Sequence, residues 1–133
     1  MARLILFTDG AARGNPGPAA MGVVLTDAKG KVIEEHGRVL GEMTNNEAEY
    51  RALLWGVERA QANLANEIEV RSDSELLVRQ LKGIYRVRAA NLKPLFEQAR
   101  SALARFERVS IHHIPREQNR RADALANAAL DKA

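Results

Sequence analysis

Cysteine is absent from this 133-residue chain. That excludes a disulfide framework, a thiolate nucleophile and a sulfur-ligated metal site, so any metal must be held by oxygen or imidazole, which points towards hard cations such as magnesium. Long apolar runs are missing as well. The stretch Leu4–Phe7 before Asp9 is too short for a signal core or a membrane span, and a cytoplasmic location is expected. No internal repeat, low-complexity segment or linker divides the chain, and with 46% apolar residues it has enough material for one core, so a single domain over residues 1–133 is expected. The charge is only weakly one-sided, at +3. Fifteen of the twenty basic residues are arginine, whose planar fork suits phosphate; this permits a polyanionic partner without showing one.

The remaining pattern gives an element order. Arg3–Asp9 reads as a buried strand that ends at an acidic residue, and Gly14-Asn15-Pro16-Gly17-Pro18 as a tight loop. Met21–Thr26 and Val32–Leu40 flank Asp27-Ala28-Lys29-Gly30, a hairpin signature, so the first three strands should form an antiparallel meander. Thr44-Asn45-Asn46-Glu47 fits a capping box, after which Tyr50, Leu53, Val57, Ala60 and Leu64 recur at helical spacing. Glu67–Arg71 is a second strand running into an acidic segment, Ser72-Asp73-Ser74, followed by a helix that stops at Gly83. Asn91 is placed to cap a third helix with Pro94 in its first turn. Val109, Ile111 and His113 alternate as a fifth strand, and Asn119 is placed to cap a final helix carrying Ala122, Leu125, Ala126 and Ala129. The resulting fold class is α/β, in the α+β sense: a five-stranded mixed sheet flanked by helices in the order βββαβααβα.

Aspartate is scarce, with five copies. Asp27 and Asp131 read as a turn residue and a frayed C-terminal position. Asp9 and Asp73 each close an apolar strand, where a carboxylate is unwelcome unless it faces a cleft or a cation. Glu49 and Asp123 lie near helix starts. Each taken singly is more often a turn or cap residue, but the four can meet at one edge of the sheet. Such a cluster repels itself and needs a cation, and two divalent ions would use it as a clamp for phosphodiester hydrolysis.

Five words carry the pattern further: Thr8-Asp9-Gly10-Ala11, Gly14-Asn15-Pro16-Gly17-Pro18, Thr44-Asn45-Asn46-Glu47-Ala48-Glu49, Ser72-Asp73-Ser74, and Asn119-Arg120-Arg121-Ala122-Asp123-Ala124-Leu125-Ala126. In this order and spacing the chain resembles the type 1 ribonuclease H family over essentially its whole length. The resemblance implies a ribonuclease H-like fold and an endonuclease that cuts the RNA strand of RNA/DNA hybrids, leaving 5′-phosphate and 3′-hydroxyl ends. It implies Asp9, Glu49, Asp73 and Asp123 as catalytic, metal-holding carboxylates for two Mg2+ ions, with Mn2+ as a substitute, Asp9 being shared between the ions. It also implies Asn15, Asn45 and Asn46 as readers of the minor groove and of 2′-hydroxyls, and Thr44 with Asn91 as the seat of a DNA phosphate. A monomer without an obligate protein partner is expected.

Two departures from the family accompany this likeness. Only Ile84–Ala90 stands between Gly83 and Asn91, so the basic protrusion of some relatives is missing and hybrid affinity is left to Arg86, Arg88 and Lys93, unless these are simply a solvated face. Before the last helix, Pro115–Asn119 is a compact link without the histidine of a longer loop. Arg116 is the candidate for helping the product phosphate leave, against a structural ion pair as the alternative, while His113 should be strand-bound. Glu75 stands where relatives often carry an amide. Tyr50 and Trp55 are expected to pack rather than stack on bases, and His36 and His112 to be ordinary strand residues. The competing readings are a nuclease of the same fold that also cuts double-stranded RNA, and a non-catalytic hybrid-binding domain.

Overall fold

The computed structural model describes residues 2–133. Five strands and four helices follow one another as β1 (Ala2–Ala12), β2 (Gly17–Asp27), β3 (Val32–Met43), α1 (Asn45–Ala62), β4 (Ala65–Ser72), α2 (Glu75–Leu81), α3 (Lys93–Leu103), β5 (Arg108–His113) and α4 (Arg120–Asp131), with a single 3-10 turn at Arg116–Gln118 before α4. This is the element order expected from the sequence. The sheet runs β3-β2-β1-β4-β5. Its first three strands are the antiparallel meander, and β4 and β5 add in parallel to β1. Parallel strands need a crossover, which α1 supplies between β3 and β4 and the α2–α3 pair between β4 and β5.

Strand alternation assigns the two faces. Leu4 and Leu6 of β1, Val23 and Leu25 of β2, and Ile68 and Val70 of β4 meet Leu53 and Val57 of α1 and Leu95 and Ala99 of α3 in the main core. On the opposite face, Ala20 of β2 packs with Ala126 and Leu130 of α4. The second layer is built from small residues because α4 lies almost on the sheet. A Cβ on Gly22 would sit 1.8 Å from the Ala122 carbonyl oxygen, so only glycine permits that approach.

Two caps differ from expectation. Asn91 does not cap α3, whose N-cap is Leu92 with no side-chain bond. The N–H groups of Leu92 and Lys93 donate instead to the Ala89 carbonyl at 3.0 and 3.2 Å, and Pro94 has no N–H to satisfy. Asn119 stands at the N-cap of α4 but makes no side-chain cap bond; its side chain points inward, as described below. Leu64 also leaves the apolar stripe of α1. It lies beyond the helix end at positive φ and is 85% exposed. The capping box of α1 forms as expected, with Glu47 N–H donating to Thr44 Oγ1 at 3.2 Å and Thr44 N–H to Glu47 Oε1 at 3.0 Å.

Candidate active site

β1 does not end at Asp9 as expected but continues to Ala12, with Asp9 paired to Gly22; the parallel pairing with β4 stops at Thr8 and Ser72, so Asp9 and the Ser72-Asp73-Ser74 turn lie together where β4 ends. The first turn of α1 brings Glu49, and α4 crosses β2 and β1 so that Asp123 arrives from the other face of the sheet. Asp9, Gly10, Ala11, Asn45, Glu49, Asp73, Ser74, Arg116 and Asp123 line one cleft of about 400 Å³. One carboxylate oxygen each from Asp9, Glu49 and Asp73 lies within 4.8 Å of the others. Asp123 lines the same cleft, near enough for its carboxylate to raise the proton affinity of Asp9.

Gly10 makes this convergence possible. Its ideal Cβ position is 2.3 Å from the Ala48 carbonyl carbon and the Glu49 nitrogen, so any side chain would push α1 off β1. The close approach puts the Gly10 N–H on Glu49 Oε1 at 2.9 Å. Two asparagines hold other carboxylates in the same manner. Asn119 Nδ2 donates to Asp73 Oδ1 at 3.3 Å, and Asn127 Nδ2 donates to Asp123 Oδ1 at 3.2 Å. Asp9 accepts no N–H bond among the described residues. Sequence reasoning singled out neither Asn127 nor the inward role of Asn119. The i, i+4 spacing of Asp123 and Asn127 was the available signal for the first; Asn119 gave none, since its N-cap position already explained its residue type.

Burial and mutual repulsion shape the electrostatics. Asp9 and Glu49 are each 6% exposed. Burial first, and the Glu49 carboxylate second, push Asp9 up to about 9. Burial also pushes Glu49 up to about 8, against the opposing pull of the Gly10 N–H and with further elevation from Asp73 and Asp123. A cation would oppose both shifts by supplying the charge that burial and the neighbouring carboxylates make costly to do without. Hard oxygen donors, three of them within reach of one point and two with proton affinities raised by burial and by neighbouring carboxylates, fit a divalent ion of the magnesium or manganese type.

The amides gather at the cleft mouth. Asn15 and Asn45 are exposed and bonded to one another, and Asn46 is exposed beside them on the first turn of α1. Thr44 and Asn91 both turn to Glu47, whose carboxyl they help hold below the usual range, the Thr44 N–H making the largest contribution. Arg116 lies exposed at the rim and forms no ion pair among the described residues, so the structural ion pair weighed for it has no partner here. His113 ends β5, exposed and outside the cleft lining, and His112 precedes it on the same edge strand. Glu75 opens α2 and faces Arg79 at 3.7 Å. Tyr50 is buried, its hydroxyl donating to Gln80 Oε1 at 2.6 Å. Trp55 is half-buried under the Arg38 guanidinium, 4.3 Å from its ring centroid, with the His36 ring edge-on beside it.

The family model described as reverse transcriptase-like matches residues 7–129. A ribonuclease H of Halorhodospira halophila is 35% identical, covering 95% of this chain and 91% of that protein. The chain belongs to the ribonuclease H family. Ribonuclease HI of Halobacterium salinarum is 46% identical over 98% of the chain, which spans 66% of that relative's length; mycobacterial relatives, 40% identical, are spanned over 36% of theirs. Among solved structures, LC11-RNase H1 in complex with an RNA/DNA hybrid superposes with a TM-score of 0.91, at 47% identity and with 97% of each chain covered. The five-stranded mixed sheet is thus the ribonuclease H-like fold. Among the described residues no helix is long and apolar enough to cross a membrane.

Proposed function

We propose that this chain is an endoribonuclease that hydrolyses the RNA strand of RNA/DNA hybrids, acting as one catalytic domain over residues 1–133 and as a monomer. The observation that carries the proposal is the four-carboxylate cleft with a pair of interlocked asparagines at its mouth, set in a chain 47% identical to a protein seen holding such a hybrid. Asp9, Glu49, Asp73 and Asp123 are the proposed holders of two divalent cations, Mg2+ with Mn2+ as a substitute. Divalent cations, when bound, supply the Lewis acidity that phosphodiester hydrolysis needs. Their charge balances four ionised carboxylates.

The chain's own residues have distinct tasks in this reading. Glu49, Asp73 and Asp123 each have one oxygen fixed by an N–H donor. Asp9 keeps both oxygens clear of N–H donors, which suits the ligand shared between ions. Asn15, Asn45 and Asn46 meet ribose hydroxyls and minor-groove acceptors, fixing which phosphate lies over the carboxylates. Thr44 and Asn91 seat a phosphate of the DNA strand, which must displace the Glu47 carboxylate they now face. Arg116 at the rim meets the departing 5′-phosphate, and the other product ends in a 3′-hydroxyl.

The test is a matched set of RNA/DNA, RNA/RNA, DNA/DNA and single-stranded substrates, each with Mg2+, Mn2+ or excess chelator at fixed salt. Cleavage confined to the RNA of the hybrid, and abolished by chelator, is expected. In duplex DNA carrying runs of ribonucleotides, cutting should begin at about four in a row, since several adjacent hydroxyls are read together. Equal cutting of double-stranded RNA, or tight hybrid binding without cleavage in any ion, would overturn the assignment in favour of a broader nuclease or a binding domain.

A further inference from the structure

Asn119 is 1% exposed beside the cleft, at a helix start where a short amide ordinarily turns its oxygen onto the first-turn N–H groups. Here the side chain turns the other way. Its Nδ2 donates to the Thr8 carbonyl at 2.9 Å and to Asp73 Oδ1 at 3.3 Å, and no helix N–H reaches its oxygen. Asn119 Oδ1 is buried without a hydrogen-bond partner. The flipped amide would set that oxygen against two acceptors, the Thr8 carbonyl and the Asp73 carboxylate, so electrostatics dictates the donor-inward orientation.

The arrangement sacrifices stability twice, once in the cap forgone and once in the buried acceptor left without a protein partner. Leucine would avoid the second loss, and serine or aspartate would restore the cap. None of them offers two N–H donors to Thr8 and Asp73 together. The backbone of the same residue continues the connection, since the Asp123 N–H donates to the Asn119 carbonyl at 3.1 Å. Asn119 therefore touches the residue before Asp9, Asp73 itself, and the turn of helix that carries Asp123.

We propose that Asn119 is a positioning residue for the carboxylate cluster: it pins one oxygen of Asp73, leaves the other for a cation, and sets the spacing between the β1, β4 and α4 contributions. The proposal rests on the cation-dependent reading of the cleft and names the side chain that holds its geometry.

The variants Asn119→Ser and Asn119→Asp retain capping ability but lose the paired donors, and Asn119→Ala loses both. Calorimetry of the substrate-free protein should show Mg2+ affinity weakened by about 10- to 100-fold in Asn119→Ser and Asn119→Asp, the scale on which supporting partners of metal ligands act. Turnover should fall by a similar factor while KM for the hybrid stays within about twofold. Wild-type Mg2+ affinity and kcat in the two cap-competent variants would overturn the proposal, as would a change in KM alone. Wild-type protein provides a second test that needs no substitution. In nitrogen-15 spectra the Asn119 side-chain amide pair should be protected from solvent exchange and shift on Mg2+ titration; free exchange, or no response at saturating Mg2+, would also overturn it. The calorimetric and spectroscopic measurements contain no nucleic acid, so their failure is distinguishable from a failure to cut hybrids.

Discussion

The backbone N–H of Asn45 donates to Asn15 Oδ1 at 3.0 Å, fastening the loop after β1 to the first residue of α1. Asn45 Oδ1 in turn accepts from the Ala12 N–H at 3.2 Å. With both side-chain oxygens engaged inside the protein, each exposed carboxamide has N–H donors left for a substrate. Asn45→Asp keeps an acceptor for Ala12 while replacing those donors with a carboxylate, which repels the sugar–phosphate strand. We expect KM for the hybrid to rise about tenfold or more, the scale of one or two lost hydrogen bonds at a site built for them. Thermal stability should change little because the loop contact survives. Unchanged KM in steady-state kinetics would remove Asn45 from the recognition surface.

The raised proton affinities of Asp9 and Glu49 give the metal-free protein a defined pH dependence. Their ordinary values are 3.8 and 4.5, against about 9 and about 8 in the folded chain. Between these limits the folded state holds more protons than the unfolded state, so stability falls as pH rises. The stabilisation from the protonated cluster is complete below pH ~4 and lost as pH climbs through ~8 to 9. In excess chelator, Tm should therefore decline from pH 5 to pH 9. Cation binding releases those protons, so the rise in Tm on adding Mg2+ should grow over the same interval. A calorimetric scan in which the Mg2+ effect shrinks towards pH 9 would contradict the proton count at the cluster.

Asp9→Asn and Arg116→Ala separate the cluster from its rim. The first removes the carboxylate proposed to serve both cations, and turnover should fall by about 10³-fold or more. The second removes an exposed group acting on a departing phosphate, and a loss of about tenfold is expected in kcat. Asp9→Asn also deletes the group pushed highest by burial and repulsion, so the metal-free variant should be more stable than wild type near pH 8 and its Tm flatter with pH. Comparable losses for the two variants would place Arg116 in the bond-breaking step itself.

The sequence carried most of this arrangement, and the exceptions have physical causes. Strand alternation, the Thr44/Glu47 box and the turn at Gly30 are local signals, and all three appear where their residue types dictate. Asp9 and Asp73 stood out because a carboxylate closing an apolar strand has no packing explanation, whereas Glu49 and Asp123, each explicable as a helix-start residue, were singled out by the resemblance to the ribonuclease H family. Asn91 is not the cap of its helix, and Asn119 holds the expected N-cap position without the cap bond, because residue type at a helix start says nothing about where the side chain turns. At Asn91 the backbone satisfies itself, and at Asn119 the Thr8 carbonyl and Asp73 hold the amide donor in an orientation that keeps its oxygen off the helix N–H groups. Burial of Asp9 and Glu49 was invisible too, since it results from α1 and α4 closing over β1 from opposite faces. An exposed cluster would be screened by water, whereas burial here raises the proton affinity of Asp9 and Glu49.

Gly10 tests whether that closure is what assembles the site. Its Cβ position lies 2.3 Å from backbone atoms of Ala48 and Glu49, so Gly10→Ala cannot be absorbed by moving a side chain; α1 must shift away from β1. Overpacking of this kind costs about 1–3 kcal/mol. The same shift lengthens the bond from the Gly10 N–H to Glu49 and withdraws Glu49 from Asp9 and Asp73. Gly41→Ala is the matched comparison. Gly41 has φ of +87° and open space around its Cβ position, so alanine there adds backbone strain of about 1–2 kcal/mol without touching the cleft. Urea titration should show destabilisation of similar size in both, while kcat at saturating Mg2+ falls at least about tenfold in Gly10→Ala alone. Parallel losses of activity in the two variants would mean that general stability, and not the approach of α1 to β1, sets the geometry of the carboxylates.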